Sequence, residues 1–261
     1  MGNKPRPEDM TDFESILEKN TDLKYAEKWH PIPVSSFESE LSSGDFCGMS
    51  KELRKNIAYS LQYLEYIQLQ FDEIHLHEIV ATHLIKTYIV TAMGIIEGVF
   101  FHLVTSKGYQ KKTDWVTLGK PVHTNIFKES DTDKKYIIAV ESKLKNPQDE
   151  QMDFEYLINK IQEKKLISLT YKAFPHLKAL KRLRNKVHLH VIRHENDTDY
   201  LGINYCDYLL VRYILFTILR DKIFSPQRET YLAFLMPTTE QMGKLKEYLA
   251  KEEEEPTNGQ A

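Results

Sequence analysis

From residue 50 onward, apolar residues recur at helical spacing. Leu53, Ile57, Leu61, Leu64 and Ile67 share one face of a helix opening at Ser50, the periodicity of an amphipathic segment. A second apolar-rich helix is expected over about 74–106. In it Thr87, Thr91, Gly94 and Gly98 form a stripe of small residues that admits a close helical neighbour. The apolar length needed for a membrane dimer motif is not expected there. The pattern changes over 107–150, where Val, Ile, Thr and Tyr come in short runs on either side of Asp131-Thr132-Asp133. That predicts a β-hairpin or irregular insertion. Asn146-Pro147 marks a break, and a helix over 154–166 follows. The next helix begins near Phe174 or Pro175, where proline suits a first turn, and continues to about His188 or His190. Thr198 or Asp199 starts a last long helix to about 224. It is apolar nearly all round, which places it centrally.

The ends are less regular. A short helix is expected over 11–18, capped by Thr11 or Asp12. His30-Pro31-Ile32-Pro33 is an extended or turn segment, because residues before proline avoid the helical region, and 42–45 is a loop. A terminal helix is expected over 238–254, then a disordered acidic tail. The division that follows is an irregular segment, 1–49, packed on the body; a helical domain, 50–225, carrying the 107–150 insertion; and a terminal helix and tail, 226–261. The fold class is mainly α.

Composition narrows the function classes. The chain has 261 residues and a formal net charge of −3, so attraction to nucleic acid needs a local basic patch. Cys47 and Cys206 lie far apart, with no disulfide framework or zinc spacing. The polar first twenty residues lack the apolar core of a signal peptide, and position six lacks the Ser or Thr of a myristoylation signal. The run 208–219 contains Arg212 and is too short to span a bilayer. A cytoplasmic protein without membrane attachment is expected.

Three places break the pattern with chemistry. Glu97 lies at the centre of an apolar stripe, with Val90, Met93, Phe101 and Val104 within about 40° of it. A carboxylate there needs a partner. Arg212, among Tyr205, Tyr208, Phe216 and Leu219, is one candidate partner. The third place is the stretch 178–193. Between residues 164 and 193 stand nine Lys or Arg and three His, with no Asp or Glu. Leu177, Leu180 and Val187 define an apolar face of its helix, and Arg184 falls within that face. Lys178, Lys181, Arg182 and Asn185 lie on another, a solvated basic side suited to polyanions. Arginine offers a planar fork for phosphate oxygens, and histidine exchanges protons near neutral pH. The cluster His75, His77 and His83 fails the H-E-x-x-H zinc pattern, so no metal site is expected.

The sequence Arg184-Asn185-Lys186-Val187-His188-Leu189-His190 resembles the HEPN family (higher eukaryotes and prokaryotes nucleotide-binding). The family's signature is an arginine, often followed by asparagine, then a histidine after four to six residues. The resemblance covers the helical body, about 50–106 and 154–224. It implies a metal-independent endoribonuclease with no cofactor, acting as a homodimer whose motifs face each other and leaving 2′,3′-cyclic phosphate and 5′-hydroxyl ends. It also implies a toxin or antiphage defence role beside an antitoxin or partner protein. Arg184, Asn185 and His190 are the expected catalytic set, with His188 the competing histidine. Lys178, Lys181, Arg182 and Lys186 are expected to hold RNA, and Glu97 to orient the arginine. Six positions of continuous helix put Arg184 and His190 about 240° apart. They share a site only if the helix bends or ends first, or if the site spans two subunits. His188 lies one turn from Arg184. The rival readings are a noncatalytic RNA- or nucleotide-binding module of the same family, and a structural interaction protein built on a Glu97–Arg184–Arg212 network.

Overall fold

The computed structural model describes residues 29–123, 127–129, 132–134, 137–187, 198–227 and 230–254. The expected helix over 11–18 and the acidic tail lie outside the described residues. The chain divides into two compact units after Ile32, and the second, from Pro33, holds the described helices and the hairpin.

The fold is mainly α with a long antiparallel hairpin. Its helices are α1 (Val34–Glu40), α2 (Lys51–Glu73), α3 (Glu78–Ser106), α4 (Phe154–Lys164), α5 (Ala173–Arg184), α6 (Asp199–Gly202), α7 (Tyr205–Leu219) and α8 (Thr239–Glu254). Short 3-10 turns occupy Gly44–Gly48, Asn185–Val187, Lys222–Phe224 and Tyr231–Leu235.

Local chemistry sets the helix ends. The Ser50 hydroxyl accepts from Leu53 N at 3.2 Å and caps α2. The Asp153 carboxylate does the same for α4, from Tyr156 N at 2.7 Å. Such caps satisfy amides left without an intrahelical partner. The last long helix starts later than expected. Thr198 caps only the four-residue α6, and the chain breaks at Ile203. A reciprocal capping box between Asn204 and Asp207 then starts α7, which ends at Leu219 instead of running to 224.

Helix α3 is the axis of the bundle, with α2, α4, α5 and α7 packed around it. Its buried positions include Ile85, Tyr88, Ile89, Met93, Ile96, Val99 and Leu103. This corrects the expectation about length, since by length and composition α3 is long and apolar enough to cross a bilayer. Burial against its neighbours is what makes it a core helix. The stripe of small residues is used at one end only. A Cβ on Gly98 would sit 3.2 Å from Leu53 Cδ1, whereas one on Gly94 would meet nothing within 4 Å. Gly98 therefore admits α2, and Gly94 only loosens the helix. Gly94→Ala is expected to stabilise the protein by about 0.5–1 kcal/mol, readable as a higher urea midpoint.

The segment before α2 is more ordered than expected. Phe37, Leu41 and Phe46 are buried. The Phe46 ring stacks on Phe224 with centroids 3.6 Å apart. Gly44, at φ +53°, presses against the backbone of Ile223 and Phe224, leaving no room for a Cβ. Buried His102 bonds the Asp45 carbonyl through Nε2 at 2.7 Å.

The insertion is the expected hairpin. β1 (Lys112–His123) pairs antiparallel with β4 (Ile137–Asp149), and β2 (Phe127–Glu129) with β3 (Thr132–Lys134). The β1–β4 register shifts between Leu118 and Val122, where Gly119 takes φ +76°. A left-handed glycine of this kind lets a strand bulge. Val116, Leu118, Ile138 and Val140 are all exposed.

Candidate functional site

Helix α5 carries the basic stretch, and its sequence explains how it sits. Phe174, Leu177 and Leu180 are buried. The α-helical form ends at Arg184, and Asn185–Val187 continue as a 3-10 turn. The expected continuation to 188–190 is thus corrected at its start. His188 and His190 lie outside the described residues. The change from α-helix to tighter turn falls directly after the arginine.

Arg184 is turned inward. Its Nη2 donates to Glu97 Oε2 at 2.7 Å, and both side chains are close to 30% exposed. Its guanidinium carbon stands 5.8 Å from the centroid of the Phe154 ring. The pair is half-buried, less enclosed than the apolar stripe around Glu97 implies, because Phe101 on that stripe is itself exposed. A fork with one arm on a carboxylate keeps further N–H groups for a phosphate.

Arg212 is not the partner of Glu97, which corrects the network reading. Its side chain is 2% exposed. Nη2 donates to Phe234 O at 2.7 Å and Nη1 to Gln241 Oε1 at 3.4 Å, and the group lies over the Tyr208 ring at 5.1 Å. Arg212 therefore fastens the Tyr231–Leu235 turn and the start of α8 onto α7. Sequence offers no signature for this, because the main acceptor is a backbone carbonyl.

The expected RNA-holding lysines are only partly available. Lys181 Nζ meets Glu155 Oε2 at 2.7 Å. Lys178 Nζ meets Glu155 Oε1 at 3.2 Å and Asn159 Oδ1 at 2.8 Å. These contacts correct the picture of a uniformly solvated basic face. Lys186 is half-buried, with its ammonium against Gly202. Arg182 and Asn185 are exposed. His77 caps α3 through Nδ1, which accepts from Ile79 N at 3.4 Å.

The hydrogen bond from Lys181 holds the Glu155 carboxyl below its ordinary range; partial burial opposes this, and Lys178 adds to it. A depressed carboxyl contributes stability above its unfolded pKa and loses it as pH falls through the folded value. Glu155→Gln is expected to lower stability at pH 7 by less than about 1 kcal/mol. The difference from wild type should shrink as pH falls below the ordinary carboxyl range and the folded-state carboxyl takes up its proton, as urea titrations at pH 7 and in acid will show.

No family model matches the chain, and neither a curated protein nor a solved structure matches it.

Proposed function

We propose that the protein is a metal-independent endoribonuclease of the HEPN kind, acting as a homodimer in the cytoplasm. One observation supports this above the others. Arg184 is held by Glu97 at the residue where α5 gives way to a tighter turn, immediately before a segment that brings two histidines into the sequence.

The chemistry is a transesterification. One histidine takes the proton from a ribose 2′-OH, and the freed oxygen attacks phosphorus. The bond to the 5′-oxygen breaks, and a second protonated group returns a proton to that oxygen. The products are a 2′,3′-cyclic phosphate and a 5′-hydroxyl. Arg184 stabilises charge growing on the phosphoryl oxygens, and Asn185 holds substrate or orients His190. Glu97 is a positioning residue, acting through Arg184. Facing motifs in a dimer supply both the accepting and the donating group. A role as a toxin or antiphage effector, checked by an antitoxin or partner protein, belongs to this proposal.

The Glu97–Arg184 pair also favours a second reading, in which the arginine is structural and the fold binds RNA or nucleotide without cutting it. Incubating purified protein with RNA in excess chelator separates the two. Cleavage leaving cyclic-phosphate ends, lost in His190→Ala and retained in His188→Ala, supports the proposal with its chosen histidine. The reverse pattern assigns His188. Tight binding with no cleavage at any pH sinks the nuclease reading.

A further inference from the structure

The outer side of α5 carries a second feature. Two adjoining depressions, of about 410 and 340 Å³, share Gln162, Tyr171 and Phe174. Tyr171 is 77% exposed. Lys165 and Lys222 line the first depression, and Lys178 and Arg182 the second. No Asp or Glu lines either, in a chain of net charge −3. Lys178 is shared with Glu155, but Lys165, Arg182 and Lys222 form no ion pair with a carboxylate among the described residues. The nearby acids are engaged elsewhere. Asp221 accepts from the backbone N–H groups of Ser168 and Ile223 beneath the groove, and Glu163 pairs with Lys160 and Lys164.

The backbone adds a second observation. Lys165 ends α4 in the left-handed conformation, at φ +50°. Glycine fits that place without strain, and lysine does not. The same conformation closes α4, with Leu166 N donating to Ile161 O at 3.1 Å, and sets Lys165 on the rim of the groove.

We propose that this groove is a stacking subsite for single-stranded RNA. A base lies on the Tyr171 ring, and its flanking phosphates meet Lys165 and Lys222 on one side and Arg182 on the other. An exposed ring among cations suits a ligand that is both flat and anionic, and ring stacking is indifferent to base identity. Lys178 and Arg182 are one turn apart, and Asn185 is next on the same face. The strand therefore runs along α5 toward the end that carries Arg184. That path is roughly 18 Å for the length of the helix, within a typical single-strand site. The inference rests on the nuclease reading for the direction of the strand, and its test is independent of cleavage.

Affinities of the full chain are to be measured for a fluorescein-labelled oligoadenylate and for inorganic polyphosphate. Tyr171→Ala is expected to weaken oligoadenylate binding by about 5- to 100-fold and to leave polyphosphate binding unchanged. Tyr171→Phe should restore the wild-type value. Arg182→Ala and Lys222→Ala should weaken both ligands. Lys165→Gly should do the same while raising the melting temperature, which separates lost binding from lost folding. Wild-type oligoadenylate affinity in Tyr171→Ala overturns the subsite. Tyr171-dependent binding of polyglutamate in place of RNA makes the groove a site for acidic protein and overturns it equally. Tyr171-dependent binding without any cleavage keeps the subsite and removes the nuclease. Arg184-dependent cleavage with an unchanged KM in Tyr171→Ala does the opposite.

Discussion

Arg184→Ala is expected to slow single-turnover RNA cleavage by about 100- to 1,000-fold, the usual loss when a group stabilising transition-state charge is removed. RNA affinity should change little, because Arg182, Lys165 and Lys222 remain. The fold should survive as well. The Glu97–Arg184 pair is close to 30% exposed on both sides, and partly solvated pairs contribute about 0–1 kcal/mol. The melting temperature should therefore fall by no more than about 2–4 °C. Arg184→Lys should not recover the rate, since an ammonium lacks the planar fork. Glu97→Gln should give a smaller loss, in kcat rather than KM, as befits a residue acting through the arginine. The readouts are chelator-resistant cleavage and circular dichroism melting. If Arg184→Ala unfolds the protein, or leaves the cleavage rate intact, the arginine is structural.

Arg212 is expected to show the opposite profile. Arg212→Ala should lower stability by about 3 kcal/mol, combining lost bonds from a charged donor with a buried cavity. That corresponds to a drop of roughly 6–12 °C in melting temperature. Its guanidinium holds the Phe234 carbonyl, and an orphaned buried carbonyl carries most of the penalty. Neighbouring phenols cannot neutralise the arginine. Burial pushes both Tyr88 and Tyr208 far above the ordinary tyrosine range, although Arg212 itself pulls them down. Both rings stay protonated at neutral pH, and the charge of Arg212 is met by carbonyls, an amide and ring faces. Arg212→Met should recover the packing but not the bonds. Cleavage at temperatures below the new melting point should be near wild type. A variant as stable as wild type refutes the anchoring role.

These two arginines also show what a sequence can reveal. Glu97 and Arg184 were legible as partners because each interrupts an apolar face, and a helical period makes such interruptions visible. The fate of Arg212 was not, because backbone carbonyls leave no mark in residue identity. Glu155 leaves no sign in the sequence, because its hold on Lys178 and Lys181 exists only once α4 lies beside α5. The start of helix α2 is legible within a residue from its apolar period. Thr198 does cap a helix, but only the four residues of α6, and the reciprocal pair Asn204-x-x-Asp207 is the pattern that marks the start of α7. Tyr171 stands outside any period. Only the groove around it gives it meaning.

The hairpin has a consequence for how this chain can change over time. Its strands leave and return side by side. Lys112 pairs with Asp149, Glu150 N donates to Lys111 O at 2.8 Å, and Lys111 and Glu150 close the root at 2.6 Å. The exits are thus about one strand spacing apart, close to 5 Å, and a short turn spans that gap. The bundle around α3 is built from residues on both sides of the hairpin and not from the hairpin itself. The ribbon is a cassette: it can lengthen, shorten or be exchanged while Arg184, Glu97 and the groove at Tyr171 keep their places. A two-stranded ribbon is only marginally stable by itself in water, so its sequence is free to be rewritten by whatever surface it comes to meet.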